Sequence, residues 1–197
     1  MARAIASKGP SLLVLIARST SKAEAVSKQL GVDFLSVKTR VLSLDLSSQK
    51  SVRQAATELE NITKAVDVLI NNAGVMAVSE RTLSKDGEDI QFATNYSPQS
   101  GARTVNITSA AHVLTHLRFS DHIFKGVPIP YEEQPNTAIA SQMDMPELDP
   151  QGGYHPMIAY CHSNTVNMLF TTELAEMLKD KGIYPFTSAP GVVETEL

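Results

Sequence analysis

Short apolar runs of strand length recur along the chain between segments with helical periodicity. The run SLLVLIAR at 11–18 and the run VDVLINNAG at 66–74 are apolar almost throughout, which predicts strands buried on both faces. Two further strands are predicted at 37–46 and 102–109, and a last one at 183–190. Because helical segments separate these strands, the sequence predicts an α/β domain with a doubly wound parallel sheet.

The segments between the strands carry helix start and stop signals, such as the Gly9-Pro10 break, the serines before residue 49, and Gly31 just past a predicted helix end. Helices are predicted at 2–8, 19–31, 47–62, 85–96 and 156–180. The stretch 113–153 is rich in Pro and Gly and has no period, which favours a long functional loop over a linker. We therefore expect one domain over 1–197.

The composition excludes several classes of protein. A length of 197 residues and 43% hydrophobic residues suit one soluble globular domain. A net charge of -4 without a dense Lys/Arg cluster argues against nucleic-acid binding. The single cysteine, Cys161, excludes an internal disulfide and favours a reducing compartment. No apolar run approaches the ~18 residues of a membrane span, and the start has no signal peptide, so we predict a cytoplasmic protein.

Polar residues follow successive predicted strands where each one ends. They are Arg18, Asp45, the stretch 71–74 and Ser109. In open parallel sheets, ligands bind beyond the carboxyl ends of the strands, where the strand order reverses. One crevice could therefore collect all of these side chains.

Five motifs occur together in one order along the chain. They are NNAG at 71–74, Asn95 in FATNY, VNITSAAH at 105–112, Tyr160 in AYCHSN and PGVVETEL at 190–197. This ordered set resembles the short-chain dehydrogenase/reductase family, and in particular retinol dehydrogenases and related fungal oxidoreductases. The resemblance implies a Rossmann-like fold and an oxidoreductase that interconverts a carbonyl and an alcohol on a small, apolar molecule. It also implies that the loop at 113–153 lies on the substrate side.

The resemblance also assigns roles to four candidate catalytic residues. Tyr160 would be the general acid/base, Ser109 would hold the substrate oxygen, and Asn95 would position a proton-relay water. A free tyrosine has a pKa of ~10, so the family places a lysine four residues further on, whose charge lowers that pKa. This chain has the neutral Asn164 there. His162 should point elsewhere on the helix and would not replace the lysine.

The expected cofactor is NADP rather than NAD. Arg18 stands after the first visible strand, where an arginine suits the phosphate of NADP and an acidic residue suits the ribose of NAD. By resemblance, Asp45 would contact the adenine edge and the small residues after 71 would allow close backbone approach. The full set of expected cofactor residues is Arg18, Asp45, Asn71, Ala73, Gly74, Pro190 and Gly191.

Three departures from the family pattern leave a second reading open, and the neutral Asn164 is the first of them. No strand and glycine-rich turn precede Met1, so the strands at 11–18 and 66–74 would either pair directly or keep open edges. Pro98 would end the helix after Asn95, which weakens a possible homo-oligomer contact. We expect a domain shortened at both ends. The alternative function is an inactive relative, or a truncated gene product, with at most residual nucleotide or partner binding.

Two other signals are weaker. Ser19 and Lys22 match the S-x-x-K spacing of acyl-enzymes, but a helix start explains them and the partner motifs are missing. His112 and His116 have metal-ligand spacing, with His122 beyond, yet no clear carboxylate accompanies them. We predict no metal site.

Overall fold

The computed structural model describes residues 1–95, 103–142 and 153–191. Two compact units divide the chain, Met1–Ala65 and Val66–Leu197. In chain order the strands and α-helices are α1 Ala2–Ala6, β1 Leu12–Ala17, α2 Thr20–Asp33, β2 Lys38–Ser43, α3 Gln49–Ile62, β3 Leu69–Asn71, α4 Ile90–Asn95, β4 Arg103–Ile107, α5 Thr137–Gln142, α6 Pro156–Leu178 and β5 Tyr184–Ser188.

The first unit is built on a parallel pair of strands. β1 pairs with β2 from Leu12 opposite Lys38 to Ala17 opposite Ser43, and α2 connects them. The prediction that β1 is buried on both faces is wrong, because all six of its residues are only half-buried. In the described residues β1 has a strand neighbour on one side alone, so part of its surface stays open.

The helices of the first unit follow only part of their predicted caps, since the Ser19 side chain before α2 makes no capping hydrogen bond. Ser48 precedes α3, and its hydroxyl accepts a hydrogen bond from the Ser51 amide at 3.4 Å, which confirms the serine cap. α2 was expected to end before Gly31 but continues to Asp33. Leu30, only 2% exposed, is buried in this last turn, so packing carries the helix past the glycine.

The second unit contains a three-stranded parallel sheet in the order β3-β4-β5. Asn71 lies opposite Asn106 between β3 and β4, and Ile107 lies opposite Ser188 between β4 and β5. Among the described residues β1 and β3 belong to different sheets. The sequence left open whether these two strands pair directly, and in the described residues they do not.

The long helix α6 organises the core of the second unit. Pro156 occupies its first turn, and the His155 side chain caps it by accepting a hydrogen bond from the Ile158 amide at 3.4 Å. The helix packs against β5, α4 and the segment after β4. Its buried core cluster consists of Leu114, Phe124, Ala140, Ile158, Ala159 and Cys161.

The described part of the 113–153 stretch contains ordered structure, with buried residues among many exposed ones. It contains a 3₁₀ turn at Tyr131–Glu133 and the helix α5, and Phe124 is only 1% exposed. The Asp121 carboxylate accepts three backbone amides, from Lys125 at 2.7 Å, Gly126 at 2.9 Å and Val127 at 3.1 Å. One buried acid therefore holds the turn, and a sequence without periodicity still forms ordered structure here.

Some expectations fall outside the described residues. These are the end of the helix after Asn95 at Pro98, the 143–152 part of the predicted loop, and the last six residues of PGVVETEL. α4 begins at Ile90 rather than at 85, because the Asp89 carboxylate accepts the amides of Gln91 and Phe92 at 3.0 and 3.1 Å. No helix in the three described stretches is long and apolar enough to cross a membrane.

Candidate active site

The carboxyl ends of β3 and β4 carry most of the candidate site residues. Asn71 is the last residue of β3, and the exposed Ala73 and Gly74 follow it. Ser109 comes two residues after β4 ends at Ile107. Because the two strands are parallel and in register, these residues lie at the same edge of the sheet.

Asn95 is fixed by hydrogen bonds to two different elements. Its Oδ1 accepts from the Val75 amide at 2.8 Å, and its Nδ2 donates to the Val75 carbonyl at 2.9 Å and to Ser163 Oγ at 2.9 Å. A Cβ at Gly74 would lie 2.9 Å from Asn95 Oδ1, so glycine is needed for this close approach. Both amide hydrogens of Asn95 are used, so a relay water would have to contact its oxygen or its main chain.

Tyr160 and Asn164 lie one turn apart on α6, as the sequence predicted. Asn164 is 4% exposed and donates from Nδ2 to the Tyr160 carbonyl at 2.9 Å, while its Oδ1 accepts from Thr108 Oγ1 at 3.2 Å. The amide at the family's lysine position is therefore an internal link between α6 and the residue before Ser109. It contacts the main chain of Tyr160, whose side chain is half-buried.

Ser109 begins the short 3₁₀ turn Ala110–Leu114. Its Oγ accepts from the Ala111 amide at 3.2 Å, and its carbonyl oxygen lies 2.8 Å from His112 Nδ1. The turn is fastened to α6 by Thr165, whose hydroxyl lies 3.0 Å from the His112 carbonyl. Capping uses a lone pair of the Ser109 hydroxyl and leaves its hydrogen available as a donor.

A ladder of polar side chains crosses from β3 to α6. Asn71 Nδ2 donates to Asn106 Oδ1 at 2.7 Å, and Asn106 Nδ2 donates to Thr171 Oγ1 at 2.7 Å. Thr171 in turn donates to the Asn167 carbonyl at 2.8 Å, and Asn167 Nδ2 donates to the Ile107 carbonyl at 3.0 Å. The first asparagine of NNAG is therefore a cross-strand contact, and its expected role at the cofactor remains a prediction.

The other expected cofactor residues lie at exposed positions, except for the half-buried Asp45. Arg18 is exposed directly after β1, in the first unit. Asp45, in the same unit, accepts from the Ser47 amide at 3.1 Å and from its hydroxyl at 2.6 Å, so it also shapes the turn into α3. Pro190 and Gly191 follow β5 and are exposed, and Gly191 has a φ of 77°.

The His162 ring packs against aromatic side chains, and its exclusion as a partner of Tyr160 remains a prediction. The ring is fully buried, stacks on Phe92 with 6.0 Å between centroids, and meets Phe124 edge-on at 5.6 Å. Burial, with the nearby positive charge of Arg118, lowers the pKa of His162 to about 4. It is therefore neutral at pH 7. In the described stretches, no three His, Cys, Asp or Glu side chains are grouped to hold a metal ion.

Two residues that tie the site together were missed in the sequence. Thr108 and Ser163 each stand beside a residue that the motifs singled out, Ser109 and Asn164 respectively. Both are buried and hydrogen-bonded to another element. Their hydroxyls next to motif residues were the available signal, but a single sequence does not show which element they contact.

Comparisons with known proteins identify first the fold and then the family. A short-chain dehydrogenase of Sphingobium yanoikuyae, solved in complex with NADPH, superposes with a TM-score of 0.65 at 20% identity over 99% of this chain and 66% of that one. Other chains of this fold were solved with NADP and with NAD. This likeness establishes a Rossmann-like α/β fold with parallel strands, as predicted.

The sequence comparisons are more specific. The family model for short chain dehydrogenases matches residues 1–117. Oxidoreductase fscI of Fusarium equiseti is 29% identical over 95% of this chain and 79% of its own length. Human retinol dehydrogenase 12 is 31% identical over the whole of this chain, which spans 58% of that protein. The chain belongs to the short-chain dehydrogenase family of oxidoreductases, with retinol dehydrogenase-like relatives.

Proposed function

We propose that this chain is an NADP(H)-dependent oxidoreductase that interconverts a carbonyl and an alcohol on a small, apolar substrate. The observation that carries the proposal is the hydrogen-bonded arrangement at the ends of β3 and β4. Ser163 joins Asn95 to the turn of α6 that bears Tyr160. Asn164 joins the same turn to Thr108, the residue before Ser109.

The residues present fit a nicotinamide nucleotide in their chemistry. The exposed backbone of residues 72–74 would lie against the cofactor, and Arg18 would offer its charge to the phosphate that distinguishes NADP from NAD. When bound, the nicotinamide supplies or accepts the hydride. In reduction, Ser109 would donate a hydrogen bond to the substrate oxygen, and the Tyr160 hydroxyl would give that oxygen its proton. In oxidation the proton returns to Tyr160.

The second candidate function is nucleotide or partner binding without turnover. Asn164 favours it, because the family's charged lysine is replaced by a neutral amide that is used internally. General acid/base help typically contributes ~10²–10⁴-fold to a rate, so a poorly activated tyrosine would leave a slow enzyme or an inactive one.

Fluorescence titration of the purified chain with NADPH and with NADH tests both candidates. Saturable NADPH binding that weakens in Arg18→Ala, but not in the exposed control Arg40→Ala, would support the assigned phosphate contact. Oxidation of NADPH by a panel of apolar aldehydes and ketones, lost in Tyr160→Phe, would then support the enzyme. Binding without turnover would favour the second candidate, and a folded chain that binds neither nucleotide would contradict both nucleotide proposals.

A further inference from the structure

Ser163 makes two hydrogen bonds that join different parts of the candidate site. It is fully buried on α6, three residues after Tyr160. Its hydroxyl donates to the Tyr160 carbonyl at 2.7 Å and accepts from Asn95 Nδ2 at 2.9 Å. The first bond is within the helix, while the second comes from α4, 68 residues away in the sequence.

The bond from α4 extends to the loop after β3. Asn95 is held against Val75 by two further bonds, from the Val75 amide at 2.8 Å and to its carbonyl at 2.9 Å. Val75 directly follows Gly74, the end of the NNAG motif. A continuous series of hydrogen bonds therefore runs from this loop through Asn95 and Ser163 to the main chain of Tyr160.

We propose that Ser163 is a positioning residue, which sets the place of Tyr160 relative to the loop after β3. This inference rests on the proposed function, because it matters only if Tyr160 moves a proton beside a cofactor at that loop. Misplacement of a reacting group by about 1 Å can cost ~10²-fold in rate. A residue that fixes the tyrosine turn from another element can therefore control turnover without touching the substrate.

A bond from a serine or threonine hydroxyl to a carbonyl one turn earlier is common in helices and alone has no such meaning. Thr172 on the same helix makes one, to the Met168 carbonyl at 3.1 Å, and it is exposed. Ser163 differs because it is buried and accepts a second bond from a different element. Thr172→Ala is therefore a matched control.

The test compares Ser163→Ala, Ser163→Thr and Thr172→Ala in the whole chain. The readouts are the ¹³Cζ resonance of Tyr160, assigned by its loss in Tyr160→Phe, and kcat and KM wherever turnover is measurable. We expect Ser163→Ala to move the Tyr160 resonance and to lower kcat by ~10²-fold with little change in KM. Ser163→Thr, which keeps the hydroxyl, should restore both, and Thr172→Ala should change neither.

Asn95→Asp breaks the same link from the other side, because the carboxylate keeps the bond from the Val75 amide and loses the donors to Ser163 and to the Val75 carbonyl. It should move the Tyr160 resonance as well, and it serves if Ser163→Ala does not fold. An unmoved Tyr160 resonance in the folded variants, or a shift that Ser163→Thr does not reverse, would overturn the proposal. A wild-type chain without turnover would count against the proposed function alone, since the resonance does not depend on activity.

Discussion

The buried ring of His162 should make the stability of the fold depend on pH. It lies between Phe92 and Phe124, with the Arg118 guanidinium 4.7 Å from the Phe124 ring centroid. Neither ring nitrogen has a hydrogen-bond partner among the described residues. Burial is the main reason that the pKa of His162 falls to about 4, and the positive charges of Arg118 and His122 lower it further, against the opposing charge of Glu133.

The size and sign of the effect follow from proton binding. The unfolded chain takes up a proton at this histidine near its ordinary pKa of 6.5, whereas the folded chain does so only near 4. Between these values the unfolded state binds more protons, so the free energy of unfolding falls as the pH falls. A difference of about 2.5 pKa units corresponds to about 3 kcal/mol between pH 7.5 and pH 4.

Urea unfolding at a series of pH values, in wild type and in His162→Leu, measures this contribution. The variant replaces the titrating ring with an apolar side chain. The difference between the unfolding free energies of wild type and variant should therefore change by about 3 kcal/mol over that range. His116→Gln, at an exposed position, serves as a control and should follow the wild type. If His162→Leu and wild type lose stability in parallel, the ring is not the buried neutral group that the structure places there.

Three further substitutions, one of them paired with a control at Gly31, test the packing of the site and its support. Gly74→Ala should destabilise the fold by about 1–3 kcal/mol, because the new Cβ would meet Asn95. Gly31→Ala, in a helix and with nothing within 4 Å of the new Cβ, should instead stabilise the fold by up to ~1 kcal/mol. Urea unfolding measures both changes, and equal effects of the two substitutions would contradict the contact with Asn95. Asp121→Ala should cost about 3–5 kcal/mol, since it removes the acceptor of three amides and the buried partner of an arginine. Fast hydrogen exchange of those amides would confirm the cause, and unchanged protection would argue against it. Asn164→Lys should lower the melting temperature, because a charge replaces a buried amide bonded to Thr108; an unchanged melting temperature would mean that the lysine reaches water.

The order of strands and helices could be predicted because it depends on local periodicity. The one-turn relation of Tyr160 and Asn164 is of the same kind, and the bond between them confirms it. Packing overrode local signals elsewhere. The buried Leu30 carries α2 past Gly31. β1 is only half-buried although its residues are apolar, because the burial of a strand depends on which elements pack against it.

The parts that could not be predicted depend on long-range partners. Ser163 and Asn95 are 68 residues apart, and Thr108 and Asn164 are 56 apart. Each is an ordinary polar residue in its own segment, and only the fold shows that their hydrogen bonds connect. The cofactor and catalytic roles of the candidate residues stay predictions from the resemblance, because they concern molecules that bind to this arrangement.

The polar ladder from Asn71 to Thr171 also limits how the sheet can form. Side chains alternate between the faces of a strand, so a shift of β3 by one residue against β4 would turn Asn71 to the opposite face. Asn106, only 2% exposed, would then have an amide oxygen without its donor, at a cost of about 1–3 kcal/mol. Two apolar strands can pair in several registers with similar stability, whereas the hydrogen bonds of this ladder all form in one register. It therefore selects against misaligned sheets during folding and makes a single alignment the stable product.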